Sequence, residues 1–252
     1  MINISKVTKK YGKTIIVDNL SLKINDGTVF GFLGPNGAGK TTTIKMLVGL
    51  NKPDTGEIKI NKYVASSIQS KQTSGYMPED PYFYDHLTGY EFLEFCLSLS
   101  SDYRSKPQVE NSDSSRISSN GIITKMLETV GLSEAKNKMI NTYSKGMKQR
   151  LGLAQAIIHK PKYIFLDEPL DGLDPIGRND FKNILRGMKK QGSTIFLNSH
   201  ILSDVEELCD EIGILNHGKL LYTGKVSEFC KRGELEKRFV ELINNKQEGI
   251  AN

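Results

Sequence analysis

Apolar residues along this chain recur with two periods, and the changes between them mark out its elements. Alternation over residues 2–7 predicts a strand, and residues 15–24 read as two strand-like runs interrupted at Asp18-Asn19. Thr28-Val-Phe-Gly-Phe-Leu33 predicts a strand that enters a glycine-rich loop and then a helix reaching Leu50. After the turn signal Pro53-Asp54-Thr55-Gly56, strands are expected at 57–60 and 74–77. Helical spacing follows over 91–99, 122–132 and 144–158. In the last of these Leu151, Ala154 and Ile158 share one side, Lys145, Lys148 and Arg150 are among the exposed positions, and Ser144 is a natural N-cap. The apolar run at 163–166, closed by Asp167-Glu168-Pro169, and the stretch 194–198, ending at Ser199-His200, are those of strands buried on both faces. A helix at 202–209 leads to strands at 212–215 and 220–223, joined by the hairpin signal Asn216-His217-Gly218-Lys219, and the tail from Ser227 is helical and charged.

One stretch fits no period. Residues 101–120 hold seven serines and only Tyr103, Val109 and Ile117 as sizeable apolar side chains, so a mobile surface loop is expected there. The 252 residues suit one large domain, or one domain with an inserted lobe. No apolar run approaches the ~18 residues of a membrane span, and no signal-peptide pattern opens the chain, so a cytosolic protein is expected. Cys96, Cys209 and Cys230 show no C-x-x-C spacing and suggest neither a zinc site nor a disulfide framework. With 34 basic and 29 acidic residues the net charge is +5, too weak and too mixed to argue for a nucleic-acid partner.

The chemistry concentrates at the loop after residue 33. Gly34, Gly39, Lys40 and Thr41 fit G-x-x-x-x-G-K-[ST], whose glycines let backbone N–H groups close around phosphates at a helix N-terminus. Lys40 reaches the β and γ phosphates as a point charge, and Thr41 is placed to put its hydroxyl on Mg2+. Asp167 and Glu168 end a buried strand, where one acid holds the metal and the other orients or deprotonates an attacking water. His200 ends the second buried strand, within reach of a γ-phosphate or that water. Tyr11, on a short loop ahead of the phosphate-loop strand, offers a π face to a purine.

In this order the motifs resemble the ATP-binding subunit of an ABC transporter over residues 2–224. Gly34 to Thr42, with Asn36, Gly37 and Ala38 inside it, resembles the Walker A loop. Glu79 stands at the position of the Q-loop glutamine, and Tyr143-Ser144-Lys145-Gly146-Met147 resembles the signature Leu-Ser-Gly-Gly-Gln. Asp167 and Glu168 match the Walker B pair, Leu173 and Asp174 fall in the D-loop, His200 matches the switch histidine, and Tyr11 the adenine-stacking aromatic. Gly75-Tyr-Met-Pro-Glu79, Tyr82-Phe83-Tyr84, His86-Leu87-Thr88-Gly89 and residues 235–242 resemble the exporter branch.

The resemblance implies an α/β P-loop NTPase fold of ABC ATPase type: a RecA-like mixed-sheet core, an N-terminal antiparallel β subdomain, and a helical subdomain inserted at about 81–158. The ATP-binding domain would span 1–225 and a C-terminal helical extension 226–252. It further implies an ATPase in which Glu168, His200 and Lys40 are catalytic and Thr41, Glu79 and Asp167 hold Mg2+. The nucleotide would lie against Tyr11, the loop from Gly34 to Thr42, Asp174, and a second cassette's Ser144 and Gly146. The implied partners are that second ATP-binding subunit, of the same or a related chain, and an integral membrane permease, with this subunit on the cytoplasmic face of the plasma membrane. Lys145, Met147 and Glu79 depart from the usual motifs, and a loss of amide hydrogen bonds at Met147 is expected to slow hydrolysis. The alternatives are a soluble ABC-type ATPase and a low-turnover regulatory nucleotide switch.

Overall fold

The computed structural model describes residues 1–99 and 119–248, with side chains for all of these except 119 and 245–248. Two sheets organise it. Strands β1 (Ile2–Tyr11), β2 (Thr14–Ile24), β4 (Thr55–Ile60) and β5 (Tyr63–Val64) form an antiparallel sheet in the order β2-β1-β4-β5. Strands β3 (Val29–Leu33), β6 (Ser74–Met77), β7 (Tyr163–Asp167), β8 (Thr194–Asn198), β9 (Glu211–Asn216) and β10 (Lys219–Lys225) form the other, in the order β10-β9-β3-β8-β7-β6. All pairs in it are parallel except the β9–β10 hairpin.

The two runs expected on either side of Asp18-Asn19 are one strand. Val7 pairs with Leu20 and Lys9 with Val17, so β2 carries one extra residue there, a bulge that Asn19 absorbs at φ +49°.

The faces of the parallel sheet differ in kind. Phe30, Phe32, Tyr163, Phe165 and Phe196 pack with Ile2, Ile4, Leu22, Ile24 and Ile58 of the antiparallel sheet and with Ile44 and Leu47 of helix α1 (Lys40–Leu47). Val29, Leu33, Ile164, Leu166, Ile195, Leu197 and Ile212 share the other core with the helices that follow β6. Alternation along each strand creates this split, because successive side chains leave a strand on opposite faces. Each fully buried phenylalanine contributes roughly 1.5–3 kcal/mol.

After α2 (Ile68–Gln72), a helical layer follows: α3 (Gly89–Leu99), α4 (Ser119–Thr129) and α5 (Lys145–Ile157), joined by Phe92, Leu93, Leu97, Ile123, Leu127 and Leu151. The polar stretch expected to be a mobile loop lies outside the described residues except for Ser119 and Asn120, which open α4. That helix ends at Thr129 rather than Leu132, with Gly131 at φ +71° turning the chain away. The C-terminal tail is also broken, into α8 (Val226–Phe229) and α9 (Leu235–Glu248), with Gly233 at φ +86° between them.

Helices α6 (Pro175–Lys190) and α7 (Leu202–Leu208) are tied by ion pairs. Lys182, with 8% of its side chain exposed, donates to Asp204 at 2.9 Å and also pairs with Glu207. Arg186 reaches Glu207 at 2.6 Å and Arg178 lies 3.6 Å from Asp204. Burial alone would lower the Lys182 pKa, but the two carboxylates reverse this and raise it, so the ammonium stays charged.

Strand β6 meets α5 at one point without slack. A Cβ on Gly75 would lie 1.9 Å from the Ala156 carbonyl oxygen, so strand and helix touch backbone to backbone. Gly75→Ala is therefore expected to destabilise the full chain by about 1–3 kcal/mol or more through forced separation of the two elements. By contrast Gly187, inside α6 with nothing within 4 Å of a built Cβ, should be stabilised on replacement by Ala by about 0.5–1 kcal/mol. Urea denaturation of both variants checks the pair.

Candidate active site

At the carboxyl end of β3 the chain turns through residues 34–39 into α1. Gly39 N-caps that helix at φ +107°, a conformation that side chains strain to reach. Gly34 serves packing instead: a Cβ there would sit 2.3 Å from the Leu215 carbonyl oxygen of β9. The helix N-terminus thus opens into a cleft of about 590 Å3. Asn36, Gly37, Ala38, Gly39, Lys40, Thr41 and Thr42 line one side, and Glu79, Glu168 and His200 line another. Tyr11 and Ile16 stand at its margin.

Lys40 is buried and folds back on its own loop, donating from Nζ to the carbonyls of Gly34 at 2.7 Å and Pro35 at 3.2 Å. Burial lowers its pKa, opposed by Glu168, Asp167 and Glu79. Asp167 lies beneath the cleft, where its Oδ1 accepts from Thr41 Oγ1 at 3.2 Å and Asn198 Nδ2 at 2.5 Å. Burial raises the Asp167 pKa against the pull of those two hydrogen bonds. Burial and the charges of Asp167, Glu168, Asp80 and Asp171 likewise raise that of Glu79. Carboxylates gathered in this way call for a cation among them, and oxygen donors from Thr41 and Asp167 at one point suit Mg2+. No cluster of three or more His, Cys, Asp or Glu able to hold a metal occurs among the described residues, so Thr41 and Asp167 would hold such an ion only together with ligands from outside the chain.

Glu168 adopts φ +49°, a strained conformation for a non-glycine residue. Its backbone N–H donates to Asn198 Oδ1 at 2.7 Å, and its Oε2 accepts from the His200 backbone N–H at 3.1 Å and from His200 Nδ1 at 2.8 Å. The carboxylate is thereby aimed and fixed, while the imidazole stays more than half exposed to the cleft. Asn198 is the residue that sequence reasoning missed. It pairs with Asp167 in register across β7 and β8, is fully buried, and holds both acids with one amide. A polar residue closing an apolar strand was its only signal.

Three candidates do not join this cleft. Ser144 caps α5, its Oγ accepting from the Met147 N–H at 3.2 Å, and Gly146 packs near Leu173. Asp174 caps α6 by accepting from the Gly177 N–H at 2.6 Å, so its side chain is occupied within its own chain. The departure Lys145 forms an ion pair with Asp171 at 2.6 Å, and the neighbouring Gln149 donates to the Asp171 carbonyl at 3.3 Å. These two contacts moor the start of α5 to the loop after Glu168. A larger cleft of about 960 Å3 between the end of α7 and residues 225–233 shares no lining residue with this one.

The sequence profile of the ABC transporter family matches residues 17–171. An uncharacterised ABC transporter ATP-binding protein of Synechocystis is 46% identical over 217 residues, covering 85% of this chain and 58% of that protein. The chain likewise covers 62% of a similar protein of Nostoc, so it spans about six-tenths of the length of these two relatives. A bacitracin transport ATP-binding protein of Enterococcus faecalis is 39% identical over 92% of this chain and 71% of that protein. Among solved structures, the ATP-binding subunit of an ABC transporter superposes with a TM-score of 0.83 at 26% identity, covering 96% of this chain and 99% of that one. With profile, relatives and fold in agreement, the chain belongs to the ABC transporter family, alongside its ATP-binding proteins, on a P-loop NTPase fold.

Proposed function

We propose that this chain is the ATP-hydrolysing subunit of an ABC exporter and that it drives a separate membrane permease from the cytoplasmic face of the plasma membrane. The observation that carries the hydrolytic part is the Glu168 carboxylate, pinned by His200 at 2.8 Å on the same cleft as the phosphate loop. In this reading the N–H groups of the loop and the α1 N-terminus bind the phosphates, and Lys40 leaves its two carbonyl partners to reach the β and γ phosphates. Thr41 and Asp167, with Glu79 across the cleft, would hold Mg2+, which supplies charge neutralisation at the γ-phosphate. Glu168 orients the water and takes its proton, and His200 keeps the carboxylate aimed.

Ser144 and Gly146 stand outside their own chain's cleft, which supports their serving a second cassette. There the start of α5 would present a hydroxyl, backbone N–H groups and a helix dipole to the γ-phosphate. ATP would thus join two cassettes, and hydrolysis would release them. For the permease, the supporting feature is an aromatic patch at the edge of the helical layer. Tyr82 and Tyr84 are exposed, and Tyr84 contacts Tyr82, His86 and the exposed Phe95 edge-on or tilted, with ring centroids 5.8–6.4 Å apart. No helix among the described residues is long and apolar enough to cross a membrane. The export direction is supported by relatives named for bacitracin transport and linearmycin resistance.

Glu168→Gln is expected to lower the ATPase rate by about 10²- to 10⁴-fold and to trap an ATP-bound dimer that carries its permease out of detergent-solubilised membranes. A variant that stays monomeric at saturating ATP would falsify the homodimer, and one that copurifies with no multi-span protein would remove the transporter reading. A wild-type chain that binds ATP without turnover would point to a regulatory switch. Glu79→Gln, which takes one negative charge from the cluster, should tighten metal-free ATP binding by about threefold at low salt and less at high salt. Calorimetry in EDTA at two ionic strengths checks this, and an unchanged affinity would place Glu79 away from the bound phosphates.

A further inference from the structure

The ring of Tyr11 is held in place by groups that no motif includes. Its hydroxyl accepts a hydrogen bond from Asn51 Nδ2 at 2.8 Å, and the Lys9 ammonium lies over the ring, 5.6 Å from its centroid. Lys9 is itself fixed, with 14% of its side chain exposed and Nζ donating to Asp54 Oδ1 at 3.2 Å. Asp54 accepts a second bond, at 2.6 Å, from the backbone N–H of Lys10, and these contacts lower its pKa and keep it charged. The arrangement follows from the fold. Lys9 and Tyr11 leave β1 on the same face, two residues apart. Thr8 pairs with Thr55 of β4, and the Asp54 N–H bonds the Thr8 carbonyl, which brings the loop before β4 alongside. Asn51 follows α1, and its own N–H bonds the Lys45 carbonyl of that helix.

From this geometry we infer that Asn51 and Lys9 are positioning residues for the base of the bound nucleotide, acting through Tyr11. The inference rests on the ATP-binding reading above. Tyr11 is 51% exposed at the margin of the cleft, so a free tyrosine there would sample several rotamers and give up that freedom on stacking. The Asn51 amide removes the freedom beforehand. It also ties the ring to the helix whose other end faces the phosphates, so one rigid element sets the span from base to phosphates. A cation over the ring draws its π electrons away from the opposite face, which favours stacking of an electron-rich purine there.

The test compares two ligands on the full-length chain, ATP and inorganic tripolyphosphate, which has the phosphates and no base. Asn51→Ala should weaken ATP by about three- to tenfold, the range of one lost hydrogen bond, and leave tripolyphosphate unchanged. Lys9→Met, which keeps the buried methylenes, should weaken ATP by about two- to fivefold with the same selectivity. Tyr11→Phe removes the same hydrogen bond as Asn51→Ala, so the double variant should bind ATP no more weakly than either single one. Equal loss of both ligands would make Asn51 merely structural and overturn the inference. So would unchanged ATP binding in Asn51→Ala alongside a loss of at least about fivefold in Tyr11→Ala, the lower bound for one stacked base. If Tyr11→Ala itself leaves ATP affinity intact, the base does not stack there, and that part of the ATP-binding reading falls with the inference.

Discussion

The in-register pairing of Asp167 with Asn198 at the ends of two buried strands is the constraint on which the site depends. Both strands lie inside the sheet with apolar side chains on either face, so neither slides without moving a whole core. The amide at that register position bonds the carboxylate of Asp167 and the backbone N–H of Glu168. It thereby supports the strained backbone at Glu168 and, through it, the contact with His200. Strand pairing locates Asp167 directly, and it anchors Glu168 and His200, which follow one and two residues beyond the paired ends.

Around this fixed point the electrostatics are unbalanced on purpose. Three carboxylates, from Glu79, Asp167 and Glu168, act on a single buried ammonium, Lys40, which leans on backbone carbonyls. Such a site holds its charges at a cost that a metal-bound polyphosphate would relieve from both sides, in the proposed reading, a cation offsetting the acids and an anion the helix N-terminus and Lys40.

Residues whose chemistry is intrinsic were legible in the sequence: the phosphate loop by its glycine spacing, and Asp167, Glu168 and His200 by their places at the ends of apolar runs. The alternating cores were legible for the same reason, since period encodes face. Residues that act through tertiary pairing were not. Asn198 looked like the ordinary end of a strand, and Asn51 lies 40 positions from the hydroxyl it bonds. The bulge at Asn19 read as an interruption because a pattern records a change of face without recording that pairing resumes beyond it. Ser144 and Gly146 lie away from their own chain's cleft, and a role proposed for them between chains is one for which a single sequence carries the residue types but no geometry.

The ion pairs between α6 and α7 have a mechanical side. Removing one partner of a buried pair costs about 3–5 kcal/mol, several times the thermal energy, so the helices around Lys182 resist shearing past one another. One begins at Asp174 and the other just beyond His200. The two loops that flank the chemistry therefore hang from a common strut, and a push delivered to either is felt at both.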